Sequence, residues 1–178
     1  MPEARTLVAL LRDAQFAAGD RVPVTRWPGA AVYRYRGRLF AVSAADTRHA
    51  AASASVRPGE RCALGAGMYL DWKSGTGDGL IRARLPAQVT VQGRSGGERF
   101  HEAGKPHSHP LRKWLQERGV VPWQRATIPL VLVCGRLAAV GHIAVANEFA
   151  ATPGEASWQL EWRQRPLIFE SEFLADDV

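Results

Sequence analysis

The chain has 178 residues, 46% of them hydrophobic and 22% charged, with a formal net charge of +6 and a pI near 10. That length suits one domain or two small ones, each with an ordinary core. No run approaches the roughly 18–20 uninterrupted apolar residues of a membrane span, and Arg5, Arg12 and Asp13 break up the N-terminal segment; the expectation is a soluble cytoplasmic protein without a signal peptide or membrane helix.

Cys62 and Cys134 are distant in sequence and have no CxxC partner, so neither a disulfide framework nor a thiolate zinc site is favoured. The positive charge suits a polyanionic partner, since Lys and Arg contacts to phosphates release condensed counterions. Its distribution is uneven. Residues 1–93 hold 13 Lys+Arg against 7 Asp+Glu, residues 94–150 hold 8 against 4, and residues 151–178 hold 2 against 6. Arginine supplies nearly all the cations, with lysine only at Lys73, Lys105 and Lys113. The planar guanidinium suits bidentate phosphate contacts, although a high-GC codon bias would give the same excess.

Thr6 to Phe16 places Leu7, Leu10, Leu11 and Ala14 at helical spacing, with Gly19 as a stop, and predicts an amphipathic helix. Val22 to Phe40 reads as extended chain punctuated by Pro23, Pro28, Gly29 and Gly37, and predicts a β-hairpin. Ala44 to Pro58 is rich in Ala and Ser and predicts a mobile surface connection. Trp72 to Gly79 is dense in turn residues, Ile81 to Val91 alternates as a strand, and a domain boundary is placed near Leu80.

Ser108 or His109 is the expected cap of a helix with Pro110 in its first turn and Gly119 at its end, presenting Leu111, Trp114, Leu115 and Arg118 on one face. Ile128 to Cys134 and Leu137 to Val145, joined by Gly135-Arg136, predict a second hairpin. Trp158 to Trp162 predicts a last strand, and Glu170 to Val178 a frayed acidic tail.

The segment from Arg94 to Leu130 combines a glycine-rich loop, a basic loop and that helix. Gly96, Gly97 and Gly104 allow backbone N–H groups to approach an anion, and the helix start near Ser108 adds unpaired donors. Lys105, His107, Arg112 and Lys113 surround the same point, which suits an RNA phosphate.

The pattern R-x-G-G-x-R-F (Arg94 to Phe100), A-G-x-x-H-S (Ala103 to Ser108), L-R/K-K-x-L-Q-E (Leu111 to Glu117), G-V-x-P-W-x-R (Gly119 to Arg125) and Pro129-Leu130 resembles the C-terminal domain of bacterial tRNA(Ile)-lysidine synthetases. The Ala138-Ala139-Val140-Gly141 strand follows in the same order. Residues 1–40, with Arg26-Trp27 and Tyr33-Arg34-Tyr35-Arg36-Gly37-Arg38-Leu39, resemble the end of that family's substrate-binding domain, so the likeness runs from about Thr6 to Trp162 and is poor over Ala44 to Pro58.

The resemblance implies an α+β chain. Residues 1–80 would form an incomplete substrate-binding domain, residues 81–165 a small tRNA-binding domain of short strands, β-sandwich-like, with one main helix, and residues 166–178 an acidic tail. The family activates the wobble cytidine of an isoleucine tRNA with ATP and joins lysine to it, through a PP-loop domain with an SGGxDS signature. No SGGxDS occurs here, and Arg94-Ser95-Gly96-Gly97-Glu98-Arg99 departs from it at Arg99.

The expectation is therefore a truncated frame, an excised fragment or a split gene product. Such a chain binds the acceptor stem of tRNA(Ile) without catalysing, has no cofactor of its own, and leaves ATP and a divalent metal to a PP-loop domain, a separately encoded one being one option; a homodimer stays open. Arg94, Arg99, Lys105, His107, Ser108, Arg112, Lys113 and Arg125 are the candidate tRNA contacts, with Ser108 also the helix cap and Trp123 either a base-stacking ring or a core plug.

Two rivals stand beside this reading. One is a free-standing RNA-binding or interaction module. The other is a metal-dependent hydrolase using His101, His107 and His109, which is disfavoured because cationic neighbours flank His107 and His109 and no Asp lies near. Asp46, His49 and Ser53 or Ser55 name the parts of a hydrolytic triad but lack a nucleophile elbow.

Overall fold

The structure, a computed structural model, describes residues 24–36, 38–43, 53–65, 67–163 and 169–172. The chain divides into two compact units, one of residues 1–48 with 166–178 and one of residues 49–165. The helix expected over Thr6 to Phe16 lies outside the described residues, as do Asp46 and His49.

The first unit is built on strands β1 (Val24–Trp27), β2 (Ala30–Tyr35) and β3 (Arg38–Ser43). Pro28-Gly29 turns β1 into β2, and Gly29 takes a φ of 91°, which only glycine adopts without strain. Tyr33, Val32, Ala31 and Phe40 are buried. The expected hairpin is thus a three-stranded meander. A fourth strand joins it from the far end of the chain: β15 (Phe169–Glu172) pairs antiparallel with β3, Phe169 opposite Ala41. The beginning of the expected frayed tail is therefore strand, because its backbone completes a sheet edge; the remainder of the tail is not described.

The second unit holds β4 (Ala54–Val56), β5 (Cys62–Gly65), β6 (Met68–Thr76), β7 (Leu80–Ile81), β8 (Val89–Gln92), β9 (Arg99–Phe100), β10 (His109–Pro110), helices α1 (Leu111–Glu117) and α2 (Pro122–Thr127), then β11 (Leu130–Val133), β12 (Arg136–Val140), β13 (Ala144–Val145) and β14 (Ala156–Arg163). Its larger sheet has the order β13-β12-β11-β8-β4, and its second sheet the order β5-β6-β14-β7. Side chains of both sheets join one core: Cys62, Leu64, Leu70, Trp72 and Trp162 from the second, Val89, Val91, Val131 and Val140 from the first. Burial alternates along β5 and β8, as expected for strands with one covered face. Among the described residues no helix is long and apolar enough to cross a membrane.

Several expectations need correction. Of the expected turn region Trp72 to Gly79, only residues 77–79 turn. Trp72 to Thr76 continues β6, which pairs with β14 over eight positions from Tyr69 to Thr76, and Gly75 sits where a Cβ would meet the Gln159 and Ser157 side chains at 3.2–3.3 Å. Ile81 to Val91 is not one strand either: a 3-10 turn over Arg82–Arg84 separates β7 from β8, held by the Leu85 N–H on the Arg82 carbonyl. Ala54–Val56 within the expected mobile connection pairs with β8. Leu80, where the boundary was expected, is fully buried inside the second unit.

The hairpin of β11 and β12 does form, on a tight turn at Cys134 (φ 48°) and Gly135 (φ 77°). Two consecutive left-handed residues match the twist of a two-residue hairpin.

Candidate nucleic-acid interface

The sequence-selected segment folds as a hairpin followed by two short helices. β9 and β10 pair with Phe100 opposite His109 and Arg99 opposite Pro110, so the two ends of the basic loop are clamped together. α1 begins directly after Pro110, which is its cap residue and supplies no side-chain bond; the helix is anchored instead by the Leu111 N–H on the Glu98 carbonyl at 2.8 Å. Ser108 is therefore not the cap.

Leu111, Trp114 and Leu115 are buried, and the Trp114 ring meets Phe100 edge-on at 4.9 Å. The helix ends where Gly119, with φ 73°, lets its N–H reach the Gln116 carbonyl and the Val120 N–H reach the Leu115 carbonyl. This paired closure satisfies carbonyls that the helix end would leave open. Pro122 then starts α2 at a position where no N–H is needed. The expected helix ending at Gly119 forms as α1, α2 is a second short helix after it, and Trp123 is a core plug, 8% exposed.

The glycine loop does not offer its donors outward. Glu98 folds back so that its carboxylate accepts the Ser95 and Gly96 N–H groups at 2.6 and 2.8 Å and pairs with Arg94 at 3.6 Å. Burial pushes the Glu98 carboxyl up, but those backbone donors and the Arg94 charge outweigh it and hold it below the usual range. The Gly104 N–H is likewise occupied, by Asn147 Oδ1 at 3.2 Å. A loop whose Ser95 and Gly96 donors are filled by its own carboxylate does not fit the phosphates of ATP.

The eight candidate residues separate into two sets. Arg94, its side chain 15% exposed, donates from Nη1 to the Arg125 carbonyl at 3.2 Å, and Arg125 donates from Nε to the Val120 carbonyl at 2.6 Å. These two guanidiniums brace the glycine loop against α2. The other set faces solvent. Arg99 donates from Nη2 to the Ser108 carbonyl at 2.8 Å and from Nε to its Oγ at 3.2 Å; Lys105, His107, Arg112 and Lys113 are exposed, Lys113 pairing with Glu117 at 3.7 Å. The hairpin brings Arg99 and Ser108 together, and the first turn of α1 adds Arg112 and Lys113 beside Pro110. His101 is turned onto its own loop, with Nε2 2.6 Å from the Lys105 carbonyl.

Residues missed from the sequence hold this arrangement. Glu102, its side chain 16% exposed, accepts from Trp114 Nε1 at 3.0 Å and pairs with Arg118, whose guanidinium lies 5.0 Å from the Trp114 ring centroid. Burial works to raise the Glu102 carboxyl, yet the Trp114 and Arg118 hydrogen bonds with the Arg118 and Lys105 charges hold it below the ordinary value. Nothing local in the sequence links Glu102 to residues 12 and 16 positions on. Glu98 was findable, because Ser95-x-x-Glu98 is the spacing of a reciprocal side-chain cap.

Two family models match the chain: the TilS substrate C-terminal domain over residues 89–162 and the TilS substrate binding domain over residues 1–40. Similar curated proteins include the tRNA(Ile)-lysidine synthases of Methylococcus capsulatus, 33% identical over 90% of this chain and 37% of the relative, and of Serratia proteamaculans, 30% identical over 93% of this chain and 37% of the relative. The chain thus spans little more than a third of the length of these relatives. A solved structure described as the crystal structure of the TILS C-terminal domain shares the fold at a TM-score of 0.51, with 16% identity, 65% of this chain and 99% of that one covered. The motifs from Arg94 to Arg125 lie within the C-terminal match, and by the two domain matches and these relatives the chain belongs to the tRNA(Ile)-lysidine synthase family.

Proposed function

We propose that the second unit grips the acceptor-stem end of a tRNA through phosphate and shape contacts, as the tRNA-recognition portion of a tRNA(Ile)-lysidine synthase. The observation that carries this reading is the outward set of Arg99, Lys105, His107, Arg112 and Lys113, gathered on one hairpin and one helix turn while Arg94 and Arg125 face inward as braces. Phosphate and 2′-hydroxyl contacts across a shallow RNA groove are the usual means of holding an RNA duplex by shape. They position the RNA, and the modified base is selected elsewhere.

Ligation of lysine to the wobble cytidine needs ATP and a divalent metal, chemistry that in this reading belongs to a PP-loop domain, joined to this chain or supplied separately. The setting would be the cytoplasm. The test is binding of a tRNA(Ile) transcript by fluorescence anisotropy at several salt concentrations. Arg99→Ala and Arg112→Ala are expected each to weaken binding about tenfold and to lower the magnitude of the salt slope by about one. Unchanged affinity and slope in both variants would remove this surface from the interface.

A further inference from the structure

Between the β9–β10 hairpin and the start of β12 lies a cleft of about 180 Å³, whose polar lining is Arg99, His101, Ser108, Arg136, Asn147 and Glu148. Arg136 belongs to none of the motifs that mark the segment. We propose that this cleft seats one RNA backbone phosphate between Arg99 and Arg136, with Glu148 as the internal anion that the phosphate displaces. The proposal rests on the RNA-binding reading and adds to it a specific site.

The charges support it. Arg136 pairs with Glu148 through Nη2, which leaves its Nε and Nη1 without a bond among the described residues. Arg99 spends Nε and Nη2 on the neutral Ser108, so among the described residues its charge meets no carboxylate and its Nη1 makes no bond. Two guanidiniums and one carboxylate lining the same cleft carry a surplus positive charge, which an oxyanion neutralises. The neutral members tie the cleft to the basic loop. Asn147 Oδ1 accepts the Gly104 N–H, which directs the rest of the amide, a donor, away from Gly104; the Asn147 N–H on the His101 carbonyl at 2.8 Å fixes the two walls together.

Glu148 distinguishes this site from a generic basic surface. Its side chain is 42% exposed, and its backbone carbonyl is held by Arg84, so its carboxylate is free to swing off Arg136 while its backbone stays in place. Removing it leaves both guanidiniums for the phosphate. Glu148→Gln is therefore expected to tighten tRNA binding, an unusual result for a change outside the helix and motif residues.

The experiment uses the full chain and two probes. Anisotropy with a tRNA(Ile) transcript compares the native protein, Arg136→Gln and Glu148→Gln; the expected results are about tenfold weaker binding with a salt slope smaller by about one for Arg136→Gln, and several-fold tighter binding for Glu148→Gln. Backbone amide NMR with inorganic phosphate is expected to shift the His101 and Asn147 N–H signals in the native protein and not in Arg136→Gln. If tRNA binds but Arg136→Gln leaves affinity and slope unchanged, the cleft assignment is overturned while the RNA reading stands. If tRNA does not bind yet phosphate still shifts those amides, the RNA reading fails and the phosphodiester assignment fails with it, leaving a free-anion site. Weaker tRNA binding by Glu148→Gln would overturn the displacement role.

Discussion

Replacing Glu102 by alanine should unlock α1 from the hairpin that carries the cationic loop. The carboxylate makes two bonds of unequal worth. That to Trp114, a residue 4% exposed, is a hydrogen bond to a charged acceptor in a dry site and contributes about 2 kcal/mol. The bond to Arg118, whose side chain is 42% exposed, is screened by water and contributes at most about 1 kcal/mol. Together they give about 3 kcal/mol, and at roughly 4 °C per kcal/mol for a unit of this size the melting temperature should fall by about 10 °C. Glu102→Gln keeps an acceptor for Trp114 and loses the charge, so about half that fall is expected.

The pH dependence of this gap follows from the direction of the shift. The folded carboxyl lies below its ordinary value, so the stabilisation is fully present above the unfolded glutamate value of about 4.3 and is lost as pH falls through the folded value. Calorimetry of the native protein and both variants at pH 7 and pH 3 reads this out. An alanine variant melting within about 2 °C of native at pH 7, or a glutamine gap undiminished at pH 3, would refute the reasoning.

Gly79→Ala should cost about 3 kcal/mol by urea unfolding, since its Cβ would lie 2.5 Å from the Trp158 carbonyl oxygen at a φ of 125°, whereas Gly96→Ala, with open space around it, should cost only about 1 kcal/mol. Equal losses would show that backbone conformation alone matters at both positions. Arg94→Gln should lower stability by 1–2 kcal/mol, roughly the value of a half-buried charged hydrogen bond, while leaving the salt slope of tRNA binding unchanged; a shallower slope would make Arg94 a direct phosphate contact. In the native state Cys134 should react with a thiol reagent at once and Cys62 only on unfolding, because Cys62 is buried and burial pushes its thiol up. Two fast equivalents would contradict that burial.

Much of the fold was legible where a local rule acts alone. Gly119 closes its helix because the left-handed residue is needed there, and the β11–β12 hairpin follows from two apolar runs flanking a short glycine turn. What stayed hidden depends on distant partners. Trp72 to Gly79 looks like a loop because Ser74, Gly75 and Gly77 are turn residues, but β14, more than eighty positions later, supplies the ladder that makes its first part strand. The candidate site shows the same division. The gathering of Arg99, Lys105, His107, Arg112 and Lys113 on one loop and helix start follows from their nearness in sequence, whereas the inward turn of Arg94 could not be read, because its partner is a backbone carbonyl at Arg125. Ser108 was misassigned because capping assumes that the hydroxyl has no competitor, and Arg99 on the adjacent strand is one.

The pairing of β15 with β3 also bears on how the molecule comes together. Its two partners are separated by roughly 130 residues, and closing a flexible loop of that length costs about 4 kcal/mol, which a four-residue strand does not easily recover. Folding of the second unit shortens the effective loop between the two strands, so the edge of the first sheet is expected to be completed after that unit has folded.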